Sequence, residues 1–113
     1  MSNNTMNNVN RNFIKIQTVA QHWNGSSYDY IPGDAVLLDA DVIVEIHPLN
    51  EIKMFQTLAA RNRYEKPVSA KAAYVYRSTI HGHGVNGDDT DMLVDEDSYY
   101  RILHALGIPK DVM

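Results

Sequence analysis

Histidine and carboxylate side chains, which bind metal ions and basic partners, are concentrated between residues 81 and 97. His81 and His83 alternate with glycines, and six of the ten residues from Asp88 to Asp97 are acidic while none is basic. A His-x-His pair on a strand places both imidazoles on one face, and imidazoles with carboxylates bind zinc and other divalent cations. This stretch therefore predicts either a site for zinc or another divalent cation on His81 and His83, or a solvated loop in a protein without a cofactor.

The acidic residues also suit a basic partner. Asp95, Glu96 and Asp97 are explained by the start of a helix, where acids cap and charge the first turn. The acids without such a role are Asp88, Asp89 and Asp91. A concentrated negative charge can imitate nucleic-acid phosphates. We therefore expect these three residues to bind a larger host protein, for example in a basic groove that otherwise holds nucleic acid.

Large aromatic side chains flank a polar segment near the N-terminus. Trp23 and Tyr28 enclose Asn-Gly-Ser-Ser, and Tyr30 follows at alternate spacing. Tryptophan and tyrosine beside exposed loops often anchor protein interfaces, although such rings can also fold back over a sheet edge. We expect all three to contact the partner. Tyr74 and Tyr76 lie on one side of a later strand and are assigned to the core and its rim.

Basic residues cluster in the middle of the chain. Between Lys53 and Arg77 there are six bases and one acid. Arg61, Arg63 and Arg77 predict an alternative ligand site, in which guanidinium groups clamp the phosphates of a nucleotide signal at a subunit interface.

Composition excludes several classes of function. The 113 residues carry a net charge of −4 and no cysteine, which disfavours direct nucleic-acid binding and excludes disulfides and thiolate metal sites. No Gly-x-Ser-x-Gly or phosphate-binding glycine loop is present, and no apolar run is long enough to span a membrane. We expect a cytoplasmic, non-enzymatic protein with no membrane contact.

Hydrophobic periodicity predicts an α+β fold. The expected arrangement is a twisted antiparallel sheet of four or five strands, with a C-terminal helix packed on it and an inserted mid-chain helix over about 49–62. Six asparagines in the first twelve residues predict a disordered lead-in over 1–12 and one domain over 13–113. Strand edges at Phe13 and Thr90 could pair across a two-fold axis, so a homodimer is possible. The predicted strands are 13–19, 28–31, 42–46, 72–80 and 90–94.

Two segments follow a pattern that other small proteins share: Asp39-Ala40-Asp41 followed by the Val-rich run to Pro48, and Val94–Ser98, which leads into the last helix. Through them, about half of the chain resembles small bacterial and phage sheet-plus-helix proteins of the flagellar FlbD type. The chain departs from that pattern through long insertions at about 19–36 and 48–68 and through a longer hairpin at 81–89. The resemblance implies a small regulatory or binding fold and assigns no functional residues.

The leading hypothesis is a small acidic binding protein, such as a phage or mobile-element inhibitor of host machinery or host defence. The alternatives are a metal-binding protein centred on His81 and His83, and an oligomer that sequesters a nucleotide signal.

Overall fold

The computed structural model describes residues 12–78 and 90–110, which form six strands and two helices. The strands are β1 (Phe13–Trp23), β2 (Tyr28–Asp39), β3 (Ile43–Ile46), β4 (Asn50–Met54), β5 (Val68–Arg77) and β6 (Thr90–Asp95). The helices are α1 (Leu58–Asn62) and α2 (Glu96–Ala105), and a 3-10 helix over Ala40–Val42 joins β2 to β3. No helix in these two ranges is long and apolar enough to cross a membrane.

The six strands form one mixed sheet that closes on itself. Its order is β3-β5-β4-β2-β1-β6, and β5 also pairs with β6. The pairing of β2 with β4 is parallel, through Tyr30 and Met54, and the others are antiparallel. The predicted α+β class is confirmed, with a C-terminal helix on the sheet and a mid-chain helix. The sheet has one strand more than the upper expectation, and one of its pairings is parallel.

The mid-chain helix is shorter than predicted. Residues 50–54 form β4 instead, because Asn50–Met54 pair with Ala72–Val68 of β5. Ile52 and Met54 are half-buried while Lys53 between them is exposed, which is the two-residue period of a strand. The helix begins only after Thr57, whose side-chain oxygen accepts a hydrogen bond from the Ala60 N–H at 2.9 Å.

A β-bulge lets β2 continue through Pro32 and Gly33, although the predicted strand over 28–31 ends before them. The register moves from Gln17 opposite Ala35 to Val19 opposite Pro32, so two residues of β2 face Thr18 alone. A Cβ on Gly33 would lie 2.6 Å from the Thr18 Oγ1, so only glycine allows this approach without a shift. The β1–β2 hairpin therefore runs as one long ribbon.

The main core lies between the sheet and α2. Its centre consists of side chains with essentially no exposure, among them Ile16, Val75, Val94, Ile102 and Leu103. Asp95 caps the helix by accepting a hydrogen bond from the Ser98 N–H at 2.9 Å, as its position in the sequence predicts.

Helix α2 also forms hydrogen bonds with the backbone at one edge of β1. The Gln17 N–H donates to the Ser98 Oγ at 2.8 Å, and an Arg101 N–H donates to the Lys15 carbonyl oxygen at 3.1 Å. Strand β6 lies between β1 and β5. The strands that contain Phe13 and Thr90 are thus already paired within the sheet, and β3 is the outer strand among the described residues.

Both helices end in the same hydrogen-bond motif. After α2, the Gly107 N–H donates to the His104 carbonyl and the Ile108 N–H donates to the Leu103 carbonyl. After α1, Tyr64 and Glu65 make the equivalent bonds to Arg61 and Ala60. The motif requires a left-handed residue, usually glycine; Gly107 has φ 71°, whereas Tyr64 adopts φ 59° with a side chain.

Replacing Tyr64 with glycine is expected to raise the free energy of unfolding by about 0.5–1 kcal/mol, since the left-handed conformation costs a side-chain-bearing residue more than glycine loses in entropy. Urea unfolding followed by circular dichroism measures the gain. Tyr64→Ala is the control, because alanine keeps the Cβ. An equal gain from alanine would show that loss of the exposed ring, and not the backbone, is responsible.

Candidate functional site

Aromatic side chains from two pairs of strands share one face of the sheet. At the hairpin tip, Trp23 lies opposite Tyr28 and Gln21 lies opposite Tyr30. Residues opposite each other, and residues two apart along a strand, point to the same side. The same rule applies to β5 and β6, where Tyr74 lies opposite Leu93 and Tyr76 opposite Asp91.

Direct contacts join these two groups. The Gln21 Nε2 donates to the Tyr74 hydroxyl at 2.5 Å. Tyr30 and Tyr74 both pack against a small buried cluster of Val19, Ala72 and Leu93. We call the resulting surface the aromatic face, defined by Trp23, Tyr28, Tyr30, Tyr74 and Tyr76. Helix α2 packs against the cluster of core residues on the opposite side of the sheet.

The aromatic face is half-buried at its centre and exposed at the hairpin tip. Trp23 and Tyr28 are 59% and 52% exposed, and their rings stack edge to face with centroids 5.1 Å apart. Tyr30, Tyr74 and Tyr76 are partly buried. Burial raises the pKa of the Tyr74 hydroxyl, which like any tyrosine hydroxyl is protonated at neutral pH.

The far end of the aromatic face carries charged groups around Tyr76. Asp91 of β6 lies opposite Tyr76 on one side, and Glu45 of β3 lies opposite it on the other. The His47 ring is tilted against the Tyr76 ring with centroids 5.2 Å apart, and its Nε2 contacts the Glu45 carboxylate. A tyrosine between two carboxylates is a favourable place for a positive charge.

The structure gathers most of the predicted partner-binding residues. Trp23, Tyr28, Tyr30 and Asp91 all lie on or beside the aromatic face. Asp88 and Asp89 lie outside the described residues.

Tyr74 and Tyr76 belong to the same face although they were assigned to the core and its rim. Their alternate spacing was the available signal, but that spacing does not show which strands lie beside them.

A polar cleft lies on the other side of the hairpin tip. It has a volume of about 680 Å³ and lies between the hairpin turn and the segment that leads from α1 to β5. At its base the Arg61 Nε donates to the Asp29 carboxylate at 2.6 Å, and the Asn24 side chain donates to the same carboxylate at 2.9 Å. Both charged side chains are about a fifth exposed, and the hydrogen bond from Arg61 holds the pKa of Asp29 below its usual value. Tyr64, which is 94% exposed, lies at the rim.

The three arginines of the predicted nucleotide site do not converge within one chain. Arg61 pairs with Asp29, and Arg63 donates to Glu65 at 2.7 Å. Arg77 is at the opposite end of β5 from the cleft, about 30 Å away at the usual rise of a strand. A phosphate held by all three would need a second subunit, as the prediction supposed.

The predicted metal ligands His81 and His83 lie outside the described residues. Within residues 12–78 and 90–110, no group of three or more histidine, aspartate or glutamate side chains is arranged to hold a metal ion.

Taken together, the chain is an α+β domain with an aromatic face and a polar cleft on either side of one hairpin tip. Comparison with protein-family models, curated proteins and solved structures gave no match.

Proposed function

We propose that this protein is a non-enzymatic binding protein that covers a surface of a larger partner protein through its aromatic face. The observation that supports this most strongly is the exposure of Trp23 and Tyr28 next to three further tyrosines on one side of the sheet. Buried hot spots of protein interfaces are enriched in these two residue types. An inhibitor or regulator, of the phage or mobile-element kind, would act by such occupation of a partner's surface.

The hairpin tip is suited to anchoring because it is held rigidly before binding. Edge-to-face stacking orients the Trp23 and Tyr28 rings, and both side chains have only two rotatable bonds to immobilise. The loop between them is closed by hydrogen bonds from the backbone N–H groups of Ser26 and Ser27 to the Asn24 side-chain oxygen, each at 3.0 Å. Little conformational entropy is therefore lost when a partner covers the rings.

The ion pair of Asp29 and Arg61 braces the tip from the other side. It ties β2 to α1, whose residue Ala60 is buried. The hairpin therefore stands against a packed element instead of projecting freely, and its aromatic rings keep a defined position relative to the rest of the sheet.

Affinity capture from cells of the native source tests the proposal. We expect the wild-type chain to retain a specific partner, and the double variant Trp23→Ala/Tyr28→Ala to lose at least about thirtyfold in affinity, since the loss of even one hot-spot residue costs about 2 kcal/mol or more. Tyr64→Ala is the matched control, because it removes an exposed aromatic ring from the cleft side. Circular dichroism verifies that each variant is folded. Equal retention by the double variant and the wild type would contradict the proposal.

A further inference from the structure

We infer that the aromatic face recognises a basic segment of the partner protein, with an arginine side chain bound at Tyr76 between Asp91 and Glu45. This inference rests on the proposed function and specifies the chemistry of the partner. It does not depend on the acidic residues outside the described ranges.

The distribution of charge along the strands supports a basic partner. The residues on the side of the aromatic face come from β4, β5, β6 and the half of the β1–β2 hairpin near its tip. The charged residues among them are Asp91 and Asp95, and none is lysine or arginine. Lys53, Lys71 and Arg77 occupy the alternate positions of β4 and β5 and point to the other side. Lys15, the base on the same side of β1, is six residues from Gln21, about 20 Å along the strand. The surface is thus aromatic and acidic and carries no lysine or arginine, and the base beside it is His47, which contacts Glu45.

The negative charge near Tyr76 comes from carboxylates on both sides of its ring. Cross-strand neighbours have Cβ atoms about 4.5–5.5 Å apart, so the Asp91 and Glu45 carboxylates flank the Tyr76 ring from adjacent strands. Asp91 is exposed and lies close enough to affect the pKa of the Tyr74 hydroxyl. Asp95 is already used as the cap of α2. Asp91 therefore remains for a partner, and the Glu45 carboxylate, one oxygen of which contacts the His47 Nε2, offers its other oxygen.

An arginine fits this arrangement better than other side chains. Its planar guanidinium can stack on an aromatic ring while its N–H groups donate in the ring plane to carboxylates on both sides. The neighbouring rings of Tyr74 and Tyr30 extend the aromatic surface toward Trp23 and Tyr28. Asp91 beside Tyr76 and the rings of Trp23 and Tyr28 are exposed, so a partner can reach the face at both ends.

A short arginine-containing peptide tests the site without the natural partner. Trp23 is the sole tryptophan of the chain, so its fluorescence reports on the tip, and amide shifts in nuclear magnetic resonance spectra map the rest. We expect a glycine-arginine peptide at millimolar concentrations to give saturable shifts centred on Tyr76, Tyr74 and Asp91. Asp91→Asn and Glu45→Gln should each weaken binding about three- to fivefold, as expected for an exposed ion pair with a cation–π contact.

Asp41→Asn is the matched control, because it removes the same charge from an exposed position in the 3-10 helix. The inference is overturned if the peptide gives no saturable shifts, if Asp91→Asn leaves binding unchanged, or if Asp41→Asn weakens it equally. Its failure is distinguishable from failure of the proposed function. Partner capture that depends on Trp23 and Tyr28, together with no arginine-peptide binding, would refute the inference alone.

Discussion

Replacing Ile102 with alanine is expected to lower the free energy of unfolding by about 2–5 kcal/mol, the usual cost of a large-to-small change in a packed core. Ile102 has no exposed surface and lies at the centre of the contact between α2 and the sheet. Its truncation removes apolar contacts and leaves a cavity bordered by strands that cannot easily close on it. Since single domains are stable by only about 5–15 kcal/mol, the variant should be close to unfolding at physiological temperature.

Urea unfolding followed by far-ultraviolet circular dichroism measures this loss. Leu37→Ala is the control, because it also shortens a branched aliphatic side chain but at a position that is 73% exposed, where surface changes usually stay within about 0.5 kcal/mol. Should Ile102→Ala prevent folding altogether, Ile102→Val is expected to cost about 0.5–1.5 kcal/mol. A loss no larger than that of Leu37→Ala would contradict the packing of α2 described above.

Replacing Ser98 with alanine is expected to cost about 1–3 kcal/mol, although alanine is the better helix former. The Ser98 side chain is buried, and its hydroxyl oxygen accepts the hydrogen bond of the Gln17 N–H at 2.8 Å. Alanine would leave this half-buried backbone donor without its partner at the edge of β1, and leaving a donor unpaired away from water costs more than the bond itself contributes.

Two measurements check the Ser98 prediction. Urea unfolding gives the change in stability, and hydrogen exchange should show faster exchange of the Gln17 amide. Ser69→Ala serves as the control, because the Ser69 hydroxyl is exposed and accepts only from Lys53 at 2.9 Å. If both serine variants lose equally little stability and Gln17 exchange is unchanged, the hydroxyl does not hold the strand edge.

The C-terminal helix was predictable because its signals are local. Asp95 at the cap, acids in the first turn, apolar residues at helical spacing and Gly107 at the end all act within a few residues of one another. The strands around residues 13–19 and 42–46 were likewise predictable from alternation and from the turn at Asp39.

The mid-chain segment shows where local signals fail. The spacing of Leu49, Ile52 and Phe55 suits a helix, yet β4 forms there because β5, about twenty residues later, supplies its hydrogen-bond partners. Local signals also fail for the bulge at Gly33, because the need for glycine there depends on the distance to Thr18 on the opposite strand.

The candidate site was predictable in its parts but not as a surface. The amino-acid types and alternate spacing of Trp23, Tyr28, Tyr30 and Asp91 pointed to them individually. Their assembly with Tyr74, Tyr76 and Glu45 follows from the pairing of β5 with both β3 and β6 and from the contact of Gln21 with Tyr74.

Three features could be predicted from the amino-acid sequence: the α+β class, the capped C-terminal helix, and the position of Tyr74 and Tyr76 on one side of their strand. These depend on backbone hydrogen bonds and periodicities within one element. The identity of neighbouring strands, and hence the two carboxylates that flank Tyr76 on the aromatic face, became known from the three-dimensional structure. Strand pairing joins backbone groups that are distant in the chain, and its register depends on the whole sheet.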